Sequence, residues 1–224
     1  MSDLPSVHPR RATRSSPGRP RDASASRSRI LECATDEFAE HGYAGARIEA
    51  IVRAAGVNII LLYQYFESKE RLFIAVMEQA YGVMRASHRD IDVRGLEPVE
   101  AMESLIRWTF RIFVEHPRII GLLNSENVHR GRHILKSPYI RGLYNPLLDT
   151  IRSVLERGGA EGVFRSDVDP LDLFISVNGI GYFYLSNRYT LGVILNREMM
   201  TPEALSRYEG HIVKVLLGFL RPVP

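Results

Sequence analysis

Ile48-Glu49-Ala50-Ile51-Val52-Arg53-Ala54-Ala55-Gly56-Val57, then Asn58, Tyr63, Tyr65-Phe66 and Ser68-Lys69-Glu70, decides how this chain is read. Ile48, Ile51 and Val52 form an apolar stripe at helical spacing, and Gly56 stands where a chain turning between helices can take a positive φ without a Cβ penalty. Asn58 caps a second short helix, which spans roughly Asn58 to Gln64, with Leu62 and Phe66 facing inward. Upstream, Ile30, Leu31, Ala34 and Phe38 predict a helix from about residue 26 to His41, stopped at Gly42. Downstream, Ser68 caps a helix through about Ala86, whose first-turn amides, with Lys69, make a seat for phosphate. Two short helices around a tight turn, flanked in this way, have the anatomy of a helix-turn-helix DNA reader.

The stretch from 27 to 77 resembles the tetracycline-repressor family of bacterial regulators. The likeness is carried by the first helix ending at His41-Gly42-Tyr43, by Ala54-Ala55-Gly56-Val57, and by Tyr63-Gln64-Tyr65-Phe66-Glu67-Ser68-Lys69-Glu70-Arg71-Leu72-Phe73. It implies an all-α chain: an N-terminal three-helix DNA-binding domain, then a helical ligand-binding and dimerisation domain. It also implies phosphate contacts from Tyr63, Tyr65 and Lys69. The family's usual threonine at the start of the second helix is Ala46 here. That change removes a cap worth about 1 kcal/mol, and Arg47 offers a charged phosphate contact in its place. The recognition helix departs further, with Ile59, Ile60 and Leu61 where polar or small residues are usual. Apolar side chains can read thymine methyls but cannot grip guanine bidentately. Either the operator is read partly through methyls and shape, or direct base readout is weak, or some of these residues pack inward, Leu61 foremost.

Residues 1 to 29 carry seven arginines, Arg27 among them, against Asp3 and Asp22, while the whole chain has a formal charge of only +3. Pro5, Pro9, Pro17 and Pro20, interspersed with serines, argue against a packed element before the first helix. A flexible basic arm over 1–25, beside a DNA-binding head over 26–70, can enter an adjacent minor groove and make affinity steeply salt-dependent. The competing assignment is a solvated leader. No apolar segment reads as a secretory signal or reaches membrane-spanning length, and the single cysteine, Cys33, reads as a small packed hydrophobe. These features place the chain in the cytoplasm with no membrane partner.

The remainder, 71–224, reads as the effector-binding and dimerisation domain. After a break near Asp90 to Gly95, five helices are expected: Glu97 to Glu115, Arg118 to Gly131, Pro138 to Arg157, Asp169 to about Leu191, and Thr201 through Leu220. The fourth is apolar over most of its surface, which predicts burial on all sides. Gly179 and Gly181 would admit a close neighbour there. Together with Leu205, Ile212, Val213, Leu216, Leu217 and Leu220 of the last helix, it suits a homodimer interface, and two heads would read a palindromic site.

Polar residues set among apolar helices mark a pocket for a small organic effector: Trp108, Phe113, Asn124, Asn127, His129, Asn178 and Tyr182. The competing assignment is a solvated face or an interhelical hydrogen-bond network. Glu126, His129 and His133 share one helical face but make a weak metal set, so neither metal nor cofactor is expected. The chain lacks a glycine-rich phosphate loop, HExxH and GxSxG, so no enzyme is expected. The leading expectation is a one-component transcriptional regulator, a repressor, that binds double-stranded DNA as a homodimer and is released by an effector. The alternative is a helical ligand-binding or protein-interaction module with weak or no sequence-specific DNA binding.

Overall fold

The computed structural model describes residues 20–88, 91–142 and 146–222. Among them the regular elements are all helical: α1 (Pro20–Gly45), α2 (Ile48–Ala55), α3 (Ile59–Phe66), α4 (Lys69–His88), α5 (Pro98–Glu115), α6 (Pro117–Val128), a 3-10 turn (Ile134–Lys136), α7 (Pro138–Arg141), α8 (Pro146–Ala160), α9 (Pro170–Ser186), α10 (Arg188–Leu195) and α11 (Pro202–Leu220).

Helix α1 begins at Pro20, ahead of the boundary expected near residue 26. Proline is tolerated in a first turn, where its missing N–H has no partner to lose, and Ala23 and Ala25 then favour helix. Of the flexible basic arm expected over 1–25, residues 20–25 are instead the first turns of α1, and residues 1–19 lie outside the described residues. Gly42 interrupts α1 at φ 66°, ψ 173°, so the expected stop is a kink with one more turn beyond it to Gly45.

The head packs Ile30, Ala34 and Phe38 of α1 against Ile48 and Ile51 of α2, Leu62 and Phe66 of α3, and Leu72 and Phe73 of α4, all buried. Gly56 ends α2 at φ 63°. The Asn58 side chain accepts from the Leu61 N–H at 2.8 Å, and Ser68 Oγ accepts from the Arg71 N–H at 3.1 Å, so both predicted caps form. Arg47, at the α2 N-cap, has no side-chain cap bond. Its N–H donates instead to Glu37 Oε1 at 2.8 Å, and Lys69 Nζ donates to the Ala46 carbonyl at 2.6 Å. These two tertiary bonds brace the start of α2, which has no side-chain cap.

The body is built around α5, which buries Met102, Leu105, Ile106, Phe110 and Phe113 against α8, α9 and α11. Glu209 of α11 holds Arg107 and Arg111 of α5 at 3.3 and 2.6 Å, and the Tyr184 and Tyr208 rings stack at 4.0 Å between α9 and α11.

Two expected helices are divided. Pro138 to Arg157 is split into α7 and α8, because Pro146 cannot donate to a preceding turn and so opens a new helix. Asp169 to Leu191 breaks at Asn187 (φ −100°, ψ 9°), and α10 runs on to Leu195. Burial on all sides of the fourth body helix does not hold within one chain. Gly181 packs on Phe110, but Leu171, Ile175, Gly179 and Phe183, four residues apart, form an uncovered ridge along α9. No helix among the described residues is long and apolar enough to cross a membrane.

Candidate DNA interface and effector cavity

The outer face of α3 carries Ile59, Ile60 and Tyr63, which are 37%, 67% and 41% exposed. Leu61 is partly buried, less exposed than Ile59 and Ile60. Arg27 lies over the Phe66 ring at 5.0 Å, placing its guanidinium beside the end of α3. Arg47 is exposed at the start of α2, and Tyr65 packs partly against the core. Asn58 commits its side-chain oxygen to the cap, which leaves only its amide N–H groups for DNA. Lys69 is less free than the sequence suggested. Its ammonium is tied to Ala46 and lies 5.1 Å from the Tyr43 ring centre, and burial lowers its pKa against the opposing pull of Glu37 and Glu49.

Between α4, α5, α6, α8 and α9 lies a cavity of about 730 Å³, a size ordinary for small-molecule sites. Of the predicted effector residues, Trp108, Phe113, Asn127, Asn178 and Tyr182 line it. Asn124 and His129 lie outside the lining. Asn124 accepts the Tyr182 hydroxyl at 2.5 Å and so fixes that ring from behind. Burial raises the Tyr182 phenol, with Asn127 pulling the other way. The side-chain amides of Asn127 and Asn178 donate to Leu123 and Phe174 carbonyls of their own helices. Tyr81, Met84 and Arg85 of α4 complete one wall, and sequence reading missed them. The available signal was a phenol and a guanidinium four residues apart, on a helix read only for the phosphate seat at its start.

His129 belongs to a different structure. Its Nδ1–H donates to the Ser125 carbonyl at 2.8 Å, and its ring meets Tyr43 edge-on at 5.4 Å. Ser125 Oγ in turn accepts the Tyr43 N–H at 2.8 Å. Gly121 brings α6 so close to α1 that an added Cβ would sit 2.2 Å from the Ala39 carbonyl oxygen, and Arg118 pairs with Asp36 at 3.0 Å. Arg118, Gly121, Ser125 and His129 share one face of α6 and its cap, while Leu123 and Asn127 on the opposite face line the cavity. α6, like α4, therefore touches both the head and the cavity, but through two opposite faces.

Glu126 and His133 do not form a metal site. His133 is fully buried, its Nδ1–H donates to Glu126 Oε2 at 2.6 Å, and Arg132 donates to its Nε2 at 3.3 Å. Glu126 Oε1 accepts the His133 and Ile134 N–H groups at 2.8 and 3.1 Å. The carboxylate is thereby committed to closing the turn after α6, and the His133 ring wedges under Tyr43 and Phe73. Cys33 packs partly buried against the head core, and burial raises its thiol pKa.

A helix-turn-helix head joined through α4 and α6 to a helical body with an apolar cavity defines a DNA-binding transcriptional regulator. The model of bacterial regulatory proteins of the tetR family matches residues 30–76, and the tetracyclin repressor-like C-terminal domain matches residues 98–216. This chain belongs to the tetR family of bacterial regulatory proteins. It is similar to the HTH-type transcriptional repressor NicS of Pseudomonas putida, with 32% identity over 209 residues, 93% of this chain and 99% of that protein. It is also similar to the HTH-type transcriptional regulator RutR of Escherichia coli, with 30% identity over 159 residues, 71% of this chain and 73% of that protein. A TetR transcriptional regulator from Chloroflexus aurantiacus shares the fold at a TM-score of 0.64 and 23% identity, covering 91% of this chain and 100% of that one.

Proposed function

We propose that the protein is a homodimeric repressor that holds a palindromic operator and lets it go when a small organic effector fills the cavity. The observation that carries this reading is the two-faced α6, which packs on α1 through Gly121 and Ser125 and lines the cavity through Leu123 and Asn127. An effector that favours one setting of α6 changes the seat of the head. It must bind the DNA-incompetent state more tightly, since equal affinity for both states shifts nothing.

On this reading residues 26–70 contact DNA and 71–224 sense and dimerise. Ile59 and Ile60 reach bases through thymine methyls. Arg27, Arg47, Tyr63, Tyr65 and the amide of Asn58 hold phosphates, with Lys69 contributing from its anchored position. The exposed ridge Leu171, Ile175, Gly179 and Phe183 supplies the dimer surface; of the last helix, Ile212, Val213, Leu216 and Leu220, expected at the interface, are buried within the chain, and Val215 and Phe219 are exposed instead. The protein works by binding, without catalysis, in the cytoplasm beside its DNA.

The test is selection of fragmented genomic DNA by the purified protein, with sedimentation of the same preparation. A short imperfect palindrome and a dimeric mass are expected. A monomer that enriches no site would replace this reading with that of a helical ligand-binding or protein-interaction module, which the apolar α3 surface favours.

A further inference from the structure

Among the described residues, Arg85 is the one charged side chain lining the cavity, and its Nε is buried without a hydrogen-bond partner. Neither an aspartate nor a glutamate among them lines the cavity. Asp149, on neighbouring α8, pairs its Oδ1 with Arg152 at 2.6 Å, while its Oδ2, like Arg85 Nε, is buried without a hydrogen-bond partner; it stands outside the cavity lining. A guanidinium among Trp108, Phe113 and Phe174 loses hydration when an occupant displaces water, and that loss is costly unless the occupant brings an opposite charge. The planar fork of arginine matches a carboxylate with two parallel bonds. Tyr81, one turn before Arg85, puts its phenol into the same lining, and burial raises its pKa, with Glu126 adding to the shift. The phenol therefore stays protonated as a donor at neutral pH. One cation and one neutral donor suit a singly charged anion better than a dianion, and five aromatic side chains in the lining suit a flat apolar body.

We infer that the effector is an aromatic carboxylic acid, its carboxylate held by the Arg85 guanidinium and the Tyr81 hydroxyl and its ring packed between Trp108, Phe113 and Tyr182. This rests on the reading of the cavity as the effector site. Trp108, the only tryptophan of the chain, lines that cavity and reports on it directly.

The experiment titrates the full-length protein with 3-phenylpropanoate and with 3-phenylpropanamide at neutral pH, monitoring Trp108 emission and heat of binding. The acid is expected to bind between about 10- and 100-fold more tightly than the amide, the range of a charge-assisted bond. Arg85→Met should erase that preference while leaving amide affinity unchanged, Arg85→Lys should restore part of it, and Tyr81→Phe should reduce it by a smaller factor. Thermal melting of each variant checks the fold. If acid and amide bind alike, or Arg85→Met weakens both alike, the carboxylate assignment falls while the cavity reading stands. If neither probe changes Trp108 emission or releases heat, the cavity reading falls and takes this inference with it.

Discussion

Ile60 and Lys69 show how differently two residues of one head yield to sequence reading. Ile60 is 67% exposed, so it adds little to the core. Ile60→Ala should leave the melting temperature nearly unchanged, within the roughly 0.5 kcal/mol usual for surface positions, and should relax base preference at one or two operator positions, as read by repeating the DNA selection with the variant. A lowered melting temperature with intact specificity would return Ile60 to the core. Lys69 carries a second burden, because its ammonium braces the Ala46 carbonyl that precedes α2. Lys69→Met should therefore weaken operator and random DNA alike and also lower the melting temperature, by an amount equivalent to roughly 1 kcal/mol for the lost bond. Loss of DNA affinity without any thermal effect would make Lys69 a phosphate ligand alone. The cap at Asn58 was legible because its acceptor and donor lie three residues apart. The Lys69 brace spans twenty-three residues, and local pattern carries no trace of it.

Among the helices, periodicity and caps located α2, α3, α5, α6 and α11 within a few residues of where they lie. They missed the breaks at Pro146 and Asn187. Pro146 was a local signal for the first, whereas at Asn187 the apolar spacing continues across the break and no proline or glycine marks it. The same limit explains the pocket: Trp108, Phe113, Asn127, Asn178 and Tyr182 stood out as aromatic or polar residues on apolar helices, but which face of α6 turned to the cavity depended on α1. Ser125 and His129 lie on the head side for that reason. The close approach at Gly121 is testable. Gly121→Ala places a methyl against the Ala39 carbonyl, and both are backbone-anchored, so α1 and α6 must separate. The expected cost is about 1–3 kcal/mol, seen as a fall in thermal midpoint, together with weaker operator binding. Gly210→Ala, which meets nothing within 4 Å, is the matched control. Equal melting of the two variants would show that the α1–α6 contact yields freely.

For the molecule entire, the uncovered ridge on α9 is the proposed dimer surface. Phe183 is 57% exposed in the single chain, and a glutamate there would meet only water unless a partner covers it. Phe183→Glu should give a folded monomer by sedimentation and weaken operator binding by far more than any single phosphate contact, since two heads about 34 Å apart share one face of DNA. A variant that remains dimeric would move the interface elsewhere. Ile175 and Gly179 belong to both the ridge and the cavity lining, so the cavity reaches the face proposed for a second subunit. The geometry of α6 bears on how such a protein diversifies. Because the residues that grip α1 and those that meet the cavity occupy opposite sides of one short helix, substitutions at 123 and 127 would, on the proposed function, alter what is sensed while an unchanged Gly121 and Ser125 keep the seat of the head intact. A lineage, or an engineer building a reporter for a new compound, can retune the input without rebuilding the switch.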